Sequence, residues 1–275
     1  MNKLQIIIRV LFVLIIAPLF SIIGYAGDKR DTTVFVYGTK VDIKFPQGAI
    51  KGAILVLPGW NFMQDDICIK SDFCEKFTSQ AYVLVMPNML KSVYSNGFYE
   101  ETRADWRIYP QLHWVIDSLL PYIHGNYNLM QNEQVNFIFG ISTGGRGVAL
   151  VLEHSGMLFK AGAALSGDYN QLLDFKDNLM IGYYGIYSTF PERWKGEDNP
   201  YFNAAKIKCP IYLAHGKADK IVPVYQTIKF YEELTKINPQ IGHKLKLVEN
   251  AGHNYNFWNS EYDNVLNFFN ESLKP

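Results

Sequence analysis

Short apolar runs rich in β-branched and aromatic residues recur along the chain, and stretches with helical spacing separate most of them. Eight runs are predicted as strands: Thr33–Val36, Val41–Phe45, Ala53–Leu57, Tyr82–Met86, Val135–Phe139, Ala161–Leu165, Ile211–Ala214 and Lys244–Val248. Five stretches are predicted as helices: Asp72–Gln80, Gln111–Tyr122, Thr143–His154, Pro223–Leu234 and Glu261–Ser272. The first two strands suggest a hairpin, and the others alternate with helices. This order predicts an α/β fold with a mostly parallel sheet of about eight strands, covered by helices on both faces.

Two connections between predicted elements are long, at residues 87–110 and 167–210, and both are rich in aromatic residues. Long loops in compact α/β domains usually form lids or pocket walls, so we expect these insertions to form a small lid. We expect most of the rings to pack the connections onto the body of the protein. A substrate platform is the alternative role for them.

The first 26 residues have the pattern of an export signal. Lys3 and Arg9 precede the almost purely apolar run Val10–Ile23, and Gly24-Tyr25-Ala26 places small residues at both positions that a signal peptidase reads. We therefore predict cleavage after Ala26 and a secreted or periplasmic protein with no membrane attachment. A retained N-terminal membrane anchor is the alternative. The uncharged stretch from position 10 to position 26 is 17 residues long, just under the roughly 18 expected of a spanning helix.

Composition narrows the functional classes. The chain has 275 residues, with 26 Lys and Arg against 26 Asp and Glu. A formal net charge of zero argues against a nucleic-acid partner, which a basic surplus would indicate. Hydrophobic residues at 48% and charged residues at 19% fit a packed globular protein rather than a disordered chain. A mature chain of about 250 residues is typical of one large α/β domain, so residues 27–275 are predicted to form a single domain.

Export would make a disulfide possible, and Cys68 and Cys74 are the candidates. Ser71-Asp72, with Glu75 following, indicates a helix start between the two cysteines. Cys68 would then lie in the preceding loop, within reach of Cys74. A bridge and two separate buried thiols both remain open at this point. Cys209 opens an apolar run and is predicted to be a core residue.

The candidate nucleophile is Ser142, in the segment Gly140-Ile141-Ser142-Thr143-Gly144 between a predicted strand and a predicted helix. In this G-x-S-x-G spacing a strand turns abruptly into a helix and holds the central serine in a strained backbone conformation. Glycines two residues before and two after the serine relieve the crowding, and the hydroxyl projects at the edge of the sheet. A simple helix N-cap is the structural alternative for Ser142.

A serine hydroxyl needs a base that takes its proton and a carboxylate that orients the base. His253 is the last histidine and lies in a turn straight after the strand Lys244–Val248, at the edge of the sheet where Ser142 is expected. Asp219 also follows a strand end and is the candidate acid, with an ordinary turn aspartate as the alternative. The chain order Ser142, Asp219, His253 matches one known order of catalytic triads. His215 lies at the end of another apolar strand, and the sequence assigns it no role in this predicted triad.

Acyl transfer also needs fixed N–H donors for the oxyanion that forms. One donor is expected from the backbone of Thr143, directly after the nucleophile. The segment Pro58-Gly59-Trp60-Asn61 follows the third predicted strand, and Gly59 lets the backbone turn an N–H inward. We expect the backbone of Trp60 to supply the second donor, with Asn61 as the second choice. A plain Pro-Gly turn is the alternative.

These residues resemble the α/β-hydrolase superfamily over nearly all of the mature chain. Residues 137–150 (FIFGISTGGRGVAL) and 161–167 (AGAALSG) look like the esterase D group, which includes feruloyl and acetyl esterases and S-formylglutathione hydrolases. Gly252–Trp258 is similar to a Gly-His-Asp/Asn-Trp…Trp segment of the carbohydrate-ester members. The segment around Asp219 looks as much like prolyl-oligopeptidase and dienelactone-hydrolase relatives.

The chain departs from the esterase D pattern at three places. Thr143 stands where Met is usual after the nucleophile, and Arg146 stands where Tyr, Ala or another small residue is usual. The strand before the expected oxyanion loop ends in Leu-Pro-Gly-Trp, where His-Gly is usual. These departures leave the natural substrate open.

The resemblance implies the α/β-hydrolase fold and a serine hydrolase that cleaves carboxylic esters through an acyl-enzyme, and the export pattern adds that this hydrolase is secreted. The expected partner is a small-molecule or glycan-linked ester, with acetyl or feruloyl groups on carbohydrates as one class. No metal, organic cofactor or nucleic acid is implied. One rival is a serine peptidase of the prolyl-oligopeptidase type, for which Glu100-Glu101 could bind a free amino end. The other is a non-catalytic hydrolase-fold protein that binds a glycan or another partner through the aromatic connections.

Cleavage of the export signal can be tested directly on the protein exported by a bacterial host that carries the full chain. We expect N-terminal sequencing and intact mass to show a chain that begins at Gly27. An Ala26→Phe variant should keep the leader, because signal peptidases read small residues at this position. An exported protein that still begins at Met1 would support the membrane anchor instead.

Overall fold

The computed structural model describes residues 31–274, so the predicted export signal lies outside the described residues. The strands of this part are β1 (Thr32–Val36), β2 (Thr39–Lys44), β3 (Gly52–Leu57), β4 (Tyr82–Pro87), β5 (Asn136–Ile141), β6 (Ala161–Leu165), β7 (Ile211–Gly216) and β8 (Lys244–Val248). They form one eight-stranded sheet in the order β1-β2-β4-β3-β5-β6-β7-β8. β1 and β2 form the expected hairpin, β2 pairs antiparallel with β4, and the other neighbours are parallel. All eight predicted strands are confirmed.

Helices cover both faces of this sheet, as predicted. The α-helices of the described residues are α1 (Asp66–Lys70), α2 (Phe73–Ser79), α3 (Leu112–Trp114), α4 (Leu120–Tyr127), α5 (Thr143–His154), α6 (Asn178–Tyr184), α7 (Pro191–Lys195), α8 (Pro200–Asn203), α9 (Tyr225–Ile237) and α10 (Tyr255–Glu271). One apolar core lies between the sheet and α3, α4, α5 and α9, and a second lies between the opposite face and α1, α2 and α10. A turn of π-helix at Val115–Leu119 joins α3 to α4, and short 3₁₀ turns lie at Gln171–Leu173 and Ala204–Lys206.

The start of α10 differs from the prediction because a cap, rather than the apolar pattern, sets it. The helix begins at Tyr255 and not at Glu261. The side chain of Asn254 accepts a hydrogen bond from the Phe257 N–H, which satisfies an otherwise unpaired donor of the first turn. The early start places α10 directly after His253, so the helix fixes the end of the loop that carries this histidine.

Two other helices also have ends that the sequence did not predict. α9 begins at Tyr225, and Pro223 lies before it, in a four-residue turn that the hydrogen bond from the Gln226 N–H to the Pro223 carbonyl closes. The helical segment predicted over Gln111–Tyr122 continues to Tyr127, where Asn128 adopts a left-handed conformation that ends a helix well.

The rings of the two long connections mostly pack, as expected. Trp106 of the first connection forms a third apolar cluster with Tyr183, Tyr184 and Trp194 of the second, where α6, α7 and α8 provide most of the regular structure. Trp60, from the loop after β3, packs edge-on against Trp106 with the ring centroids 4.7 Å apart. The two connections therefore form one layer over the carboxyl end of the sheet.

Cys68 and Cys74 form a disulfide, with their Cα atoms 5.1 Å apart, so the bridge rather than two free thiols is found. Cys209 is a buried free cysteine, as predicted. Within residues 31–274 no helix combines the length and the hydropathy that crossing a membrane requires.

Glu153 is an unusual member of the core on α5. It is only 8% exposed, and neither carboxyl oxygen has a hydrogen-bond partner among the residues that the structure describes. Burial raises the pKa of Glu153 well above its usual value, although the charges of Lys206 and Arg146 oppose the rise. A group whose pKa is raised by folding favours the folded state at low pH, and this contribution is lost as the pH rises through the folded-state pKa.

The stability of Glu153→Gln relative to the parent should therefore increase as the pH rises, because the amide cannot ionise. We expect the difference in melting temperature, variant minus parent, to be larger at pH 8 than at pH 5. Thermal unfolding followed by circular dichroism measures it. Glu133→Gln, at an exposed glutamate, is the matched control and should show the same difference at both pH values. A pH-independent difference for Glu153→Gln would show that this carboxyl does not titrate in the way described.

Candidate active site

Ser142 lies at the sharp turn between β5 and α5. Its backbone has φ +56° and ψ −129°, a conformation that is strained for a residue with a side chain. A Cβ atom on Gly140 would overlap the carbonyl oxygen of Gly144, and a Cβ atom on Gly144 would overlap that of Leu57. The two glycines of the motif are therefore required by close backbone approaches, as the sequence predicted. The turn holds the serine side chain at the carboxyl end of the sheet.

His253 contacts both of its predicted partners. Its Nε2 lies 2.8 Å from Ser142 Oγ, and its Nδ1 lies 2.7 Å from Asp219 Oδ2. The imidazole is nearly buried, and its ring packs edge-on against Trp258 with the centroids 5.1 Å apart. The Trp258 indole N–H in turn donates to Ser166 Oγ at 3.1 Å. The structure thus brings together the three residues that the sequence nominated.

The loops after β7 and β8 are joined, which places Asp219 beside His253. The Ala218 N–H donates to the Ala251 carbonyl at 2.9 Å, and the Lys217 N–H donates to the Val248 carbonyl at the same distance. Gly216 is needed at the crossing, because a Cβ atom there would overlap the Ala251 oxygen. The register between these loops follows from the parallel pairing of the two strands.

Asp219 is a buried carboxylate that is surrounded by hydrogen-bond donors. Its Oδ1 accepts from the N–H groups of Ile221 at 2.8 Å and Val222 at 2.9 Å. Its Oδ2 faces His253 and also lies 3.2 Å from Nε2 of His215. Burial alone would raise the pKa of Asp219, but the hydrogen bonds from His215, His253 and the Val222 N–H hold that pKa well below its usual value. The acid is therefore ionised at neutral pH.

His215 is a site residue that the sequence analysis missed. It is completely buried, and its Nε2 lies 2.9 Å from the Val222 carbonyl oxygen. Because a carbonyl oxygen can only accept, Nε2 carries a proton, and this N–H also faces Asp219. Nδ1 lies 2.6 Å from the hydroxyl of Thr227, which fixes the ring from its other side. The spacing His-Gly-x-x-Asp directly after a strand is the signal that could have indicated this contact.

The loop after β3 lies beside the nucleophile. A Cβ atom on Gly59 would be 3.0 Å from the Cβ of Ser142. The Asn61 N–H already donates to the Leu90 carbonyl at 2.9 Å, which excludes Asn61 as the oxyanion donor. The backbone N–H groups of Trp60 and Thr143 meet no protein acceptor within residues 31–274. These two groups are therefore free to donate to a substrate oxygen next to Ser142.

Arg146, one of the departures from the esterase D pattern, is completely buried and binds both long connections. It donates to the backbone carbonyls of Val93 and Asp198 and to the Gln171 side chain, and it forms a longer ion pair of 3.4 Å with Asp168. Burial raises the pKa of Asp168 to about 6, although Arg146 opposes the rise. The arginine thus ties the helix after the nucleophile to the layer that covers the site.

The arrangement contains the groups that acyl transfer by a serine requires: a nucleophile, a base, a buried anionic acid and two unpaired N–H donors. Within the described residues, no group of three or more His, Cys, Asp or Glu side chains is placed to hold a metal ion.

The family model described as the prolyl oligopeptidase family matches residues 77–275. A comparison with curated proteins gives no significant match. Among solved structures, the chain is similar to an S-formylglutathione hydrolase from Agrobacterium tumefaciens, with a TM-score of 0.70 and 16% identity over 89% of this chain and 94% of that chain. It is also similar to FphF, a fluorophosphonate-binding serine hydrolase from Staphylococcus aureus, with a TM-score of 0.68 and 18% identity over 88% of this chain and 99% of that chain.

A third similar structure is dipeptidyl peptidase 4 from Porphyromonas gingivalis, with a TM-score of 0.66 and 17% identity over 89% of this chain but only 35% of that chain. At these identities the structural likenesses show the fold, and they confirm the predicted α/β-hydrolase architecture. The S-formylglutathione hydrolase is of the esterase D group that the sequence resembles. The family model covers more than two thirds of the sequence. On that match, the chain belongs to the prolyl oligopeptidase family and is a serine hydrolase of the α/β type.

Proposed function

We propose that this protein hydrolyses carboxylic esters, with Ser142 as the nucleophile, His253 as the base and Asp219 as the acid. The observation that carries the proposal is the continuous set of contacts from Ser142 Oγ through the imidazole to the Asp219 carboxylate. The unpaired N–H groups of Trp60 and Thr143 next to the serine support it.

In the proposed reaction, Ser142 Oγ attacks the acyl carbon while His253 Nε2 takes the hydroxyl proton. Asp219 accepts a hydrogen bond from Nδ1, holds the ring in the required tautomer and stabilises the imidazolium that forms. The N–H groups of Trp60 and Thr143 donate to the developing oxyanion. The imidazolium returns the proton to the leaving alcohol, and water then hydrolyses the acyl-enzyme with His253 again as base.

Peptide hydrolysis is the second candidate, and the family match favours it. The carboxylate pair Glu100-Glu101 could recognise a peptide amino end only if its charge were available. However, Glu101 forms an ion pair with Arg193, whose guanidinium lies over the ring of Phe190. Ester hydrolysis is supported further by the likeness to the S-formylglutathione hydrolase and to the serine hydrolase FphF, since the match covers nearly all of both chains. By contrast, the match covers only about a third of the dipeptidyl peptidase chain.

Among esters, we propose acyl groups carried on carbohydrates as the class to examine first. The exposed amides of Asn254 and Asn256 and the half-buried ring of Tyr255 follow His253 directly, and amides and rings are groups that contact sugars. We also propose that the protein acts outside the cytoplasm. The export pattern and the Cys68–Cys74 disulfide support this, because disulfides persist in oxidising compartments.

Ser142→Ala tests the proposed function. We expect the parent to hydrolyse p-nitrophenyl acetate, butyrate or methyl ferulate and the variant to lose at least about a thousandfold in kcat, because the nucleophile is absent. Both proteins should show the same melting temperature. A fluorophosphonate probe should label the parent only.

The pattern of results separates the candidates. Labelling of the parent without turnover of any ester would support the peptidase instead. Hydrolysis of p-nitroanilide peptides would then be measured. A folded parent with neither turnover nor labelling would contradict catalysis through Ser142 and favour the non-catalytic binding protein.

His215→Leu tests the support of the acid. Loss of the donor should lower kcat roughly tenfold, because one hydrogen bond to a charged group is removed from the acid that orients the base. A depressed pKa means that Asp219 contributes stability above the usual aspartate pKa of about 4, and this contribution is lost as the pH falls below it. The difference in stability between parent and His215→Leu should therefore shrink as the pH falls from 7 to 3.

His215→Gln is the informative companion variant, because its amide N–H can reach towards the position of Nε2. We expect it to keep more activity than His215→Leu. His154→Leu, at an exposed histidine on the last turn of α5, is the control and should behave like the parent. Equal kcat for His215→Leu and His154→Leu would show that Asp219 does not depend on His215.

A further inference from the structure

We infer that Tyr94 is a positioning residue for the oxyanion site: through one buried hydrogen bond it sets the loop that carries the Trp60 N–H. The inference rests on the proposed function, which assigns that N–H to the oxyanion. Tyr94 belongs to the first long connection, outside the sheet and helices, and no sequence motif points to it.

The contact is made at the start of the oxyanion loop. The Tyr94 hydroxyl donates to the Pro58 carbonyl oxygen at 2.7 Å. The same oxygen lies against the nucleophile helix, because a Cβ atom on Gly144 would be 2.7 Å from it. The Pro58 carbonyl is therefore held between a hydroxyl on one side and the α5 backbone on the other. Its orientation fixes the plane of the peptide that leads into Gly59.

The rest of the loop has its hydrogen bonds fixed as well. The Gly59 carbonyl accepts from the Phe62 N–H at 3.1 Å, and the Asn61 N–H donates to the Leu90 carbonyl. Leu90 and Tyr94 lie on the same connection, so this segment holds the loop at two points. Between these points, the Trp60 N–H meets no acceptor within the described part of the chain. The Trp60 N–H belongs to the next peptide, so a displaced Pro58–Gly59 peptide would displace this donor as well.

Tyr94 is itself held firmly. Its backbone has φ +59°, which is uncommon for an aromatic residue, and a buried polar network supports this conformation. The Tyr94 N–H donates to Ser92 Oγ at 3.0 Å, and Gln111 Oε1 accepts from both the Ser92 hydroxyl and the Ser95 N–H. The Tyr94 ring packs on Gly147 of α5, where a Cβ atom would lie 2.7 Å from the ring.

Tyr94 acts through the loop and not on the substrate. Its side chain is completely buried, and its hydroxyl is committed to Pro58. Burial raises the pKa of Tyr94 well above its usual value, so the hydroxyl stays protonated and remains a donor at neutral pH. The expected effect of losing it is a misplaced oxyanion donor, with the base and its carboxylate unchanged.

Tyr94→Phe tests this inference, because it keeps the ring on Gly147 and removes only the hydroxyl. We expect kcat for p-nitrophenyl acetate to fall roughly tenfold, less than the loss of about a hundredfold or more that follows complete removal of an oxyanion donor. KM should change less than twofold, since the donor acts mainly in the transition state. The rate of labelling by a fluorophosphonate should fall by a similar factor, and the pH–rate profile should keep its shape because His253 and Asp219 are untouched.

Tyr82→Phe is the matched control. Tyr82 is a fully buried tyrosine at the amino end of β4, and its hydroxyl has no hydrogen-bond partner among the residues described. It should match the parent in kcat and labelling. Rates are expressed per folded protein, and the melting temperatures of all three proteins are compared.

Three results would overturn the inference: parental kcat and labelling rates in Tyr94→Phe, an equal loss in Tyr82→Phe, or a loss that appears only in KM. The labelling rate separates this inference from the substrate proposal. If the parent labels but hydrolyses no ester, the ester proposal fails while slower labelling of Tyr94→Phe still supports the role of Tyr94. If the parent neither labels nor turns over, both fail together.

Discussion

The site depends on the close approach of three backbone segments at Ser142. The end of β5, the start of α5 and the loop after β3 meet there. Gly140 and Gly144 leave no room for a side chain, and a Cβ atom on Gly59 would be 3.0 Å from the Cβ of Ser142. At this contact Ser142 has a positive φ, and the loop of Trp60 lies beside it. The strain is maintained because β5 is bonded on both sides within the sheet. A side chain at Gly140 or Gly144 would therefore move Ser142 relative to the N–H groups of Trp60 and Thr143.

Electrostatics supply the second constraint, since the acid is an anion removed from water. A buried carboxylate is unfavourable unless its oxygens accept several hydrogen bonds. Asp219 meets this condition with two backbone N–H groups and two imidazoles, one of which is His253. His215 is the fourth donor, and the hydroxyl of Thr227 holds its ring in place. The depressed pKa of Asp219 and its orientation towards His253 therefore have one common cause.

Much of this could be predicted from the sequence, because the relevant signals are local. Strand periodicity located all eight strands, and the G-x-S-x-G spacing with the two strand-end residues nominated Ser142, Asp219 and His253. The contacts of Tyr94 with Pro58 and of Arg146 with Val93 and Asp198 were not predictable, because these acceptors are backbone carbonyls that are distant in sequence. Every residue has a backbone carbonyl, so the residue type does not indicate which carbonyl accepts a hydrogen bond. The start of α10 at Tyr255 was also missed. It depends on the cap that the Asn254 side chain forms, and the prediction followed the apolar pattern instead.

The two long connections also hold parts of the site in place. Arg146 is a cation without access to water, and its acceptors come from Val93 on the first connection and from Gln171 and Asp198 on the second. Loss of either connection's acceptors would leave donors of this guanidinium unpaired while it stays buried, which is costly. The first connection also carries Tyr94 and Leu90, which hold the loop of Trp60. Displacement of this layer would therefore disturb the loop of Trp60 and the helix after Ser142 together.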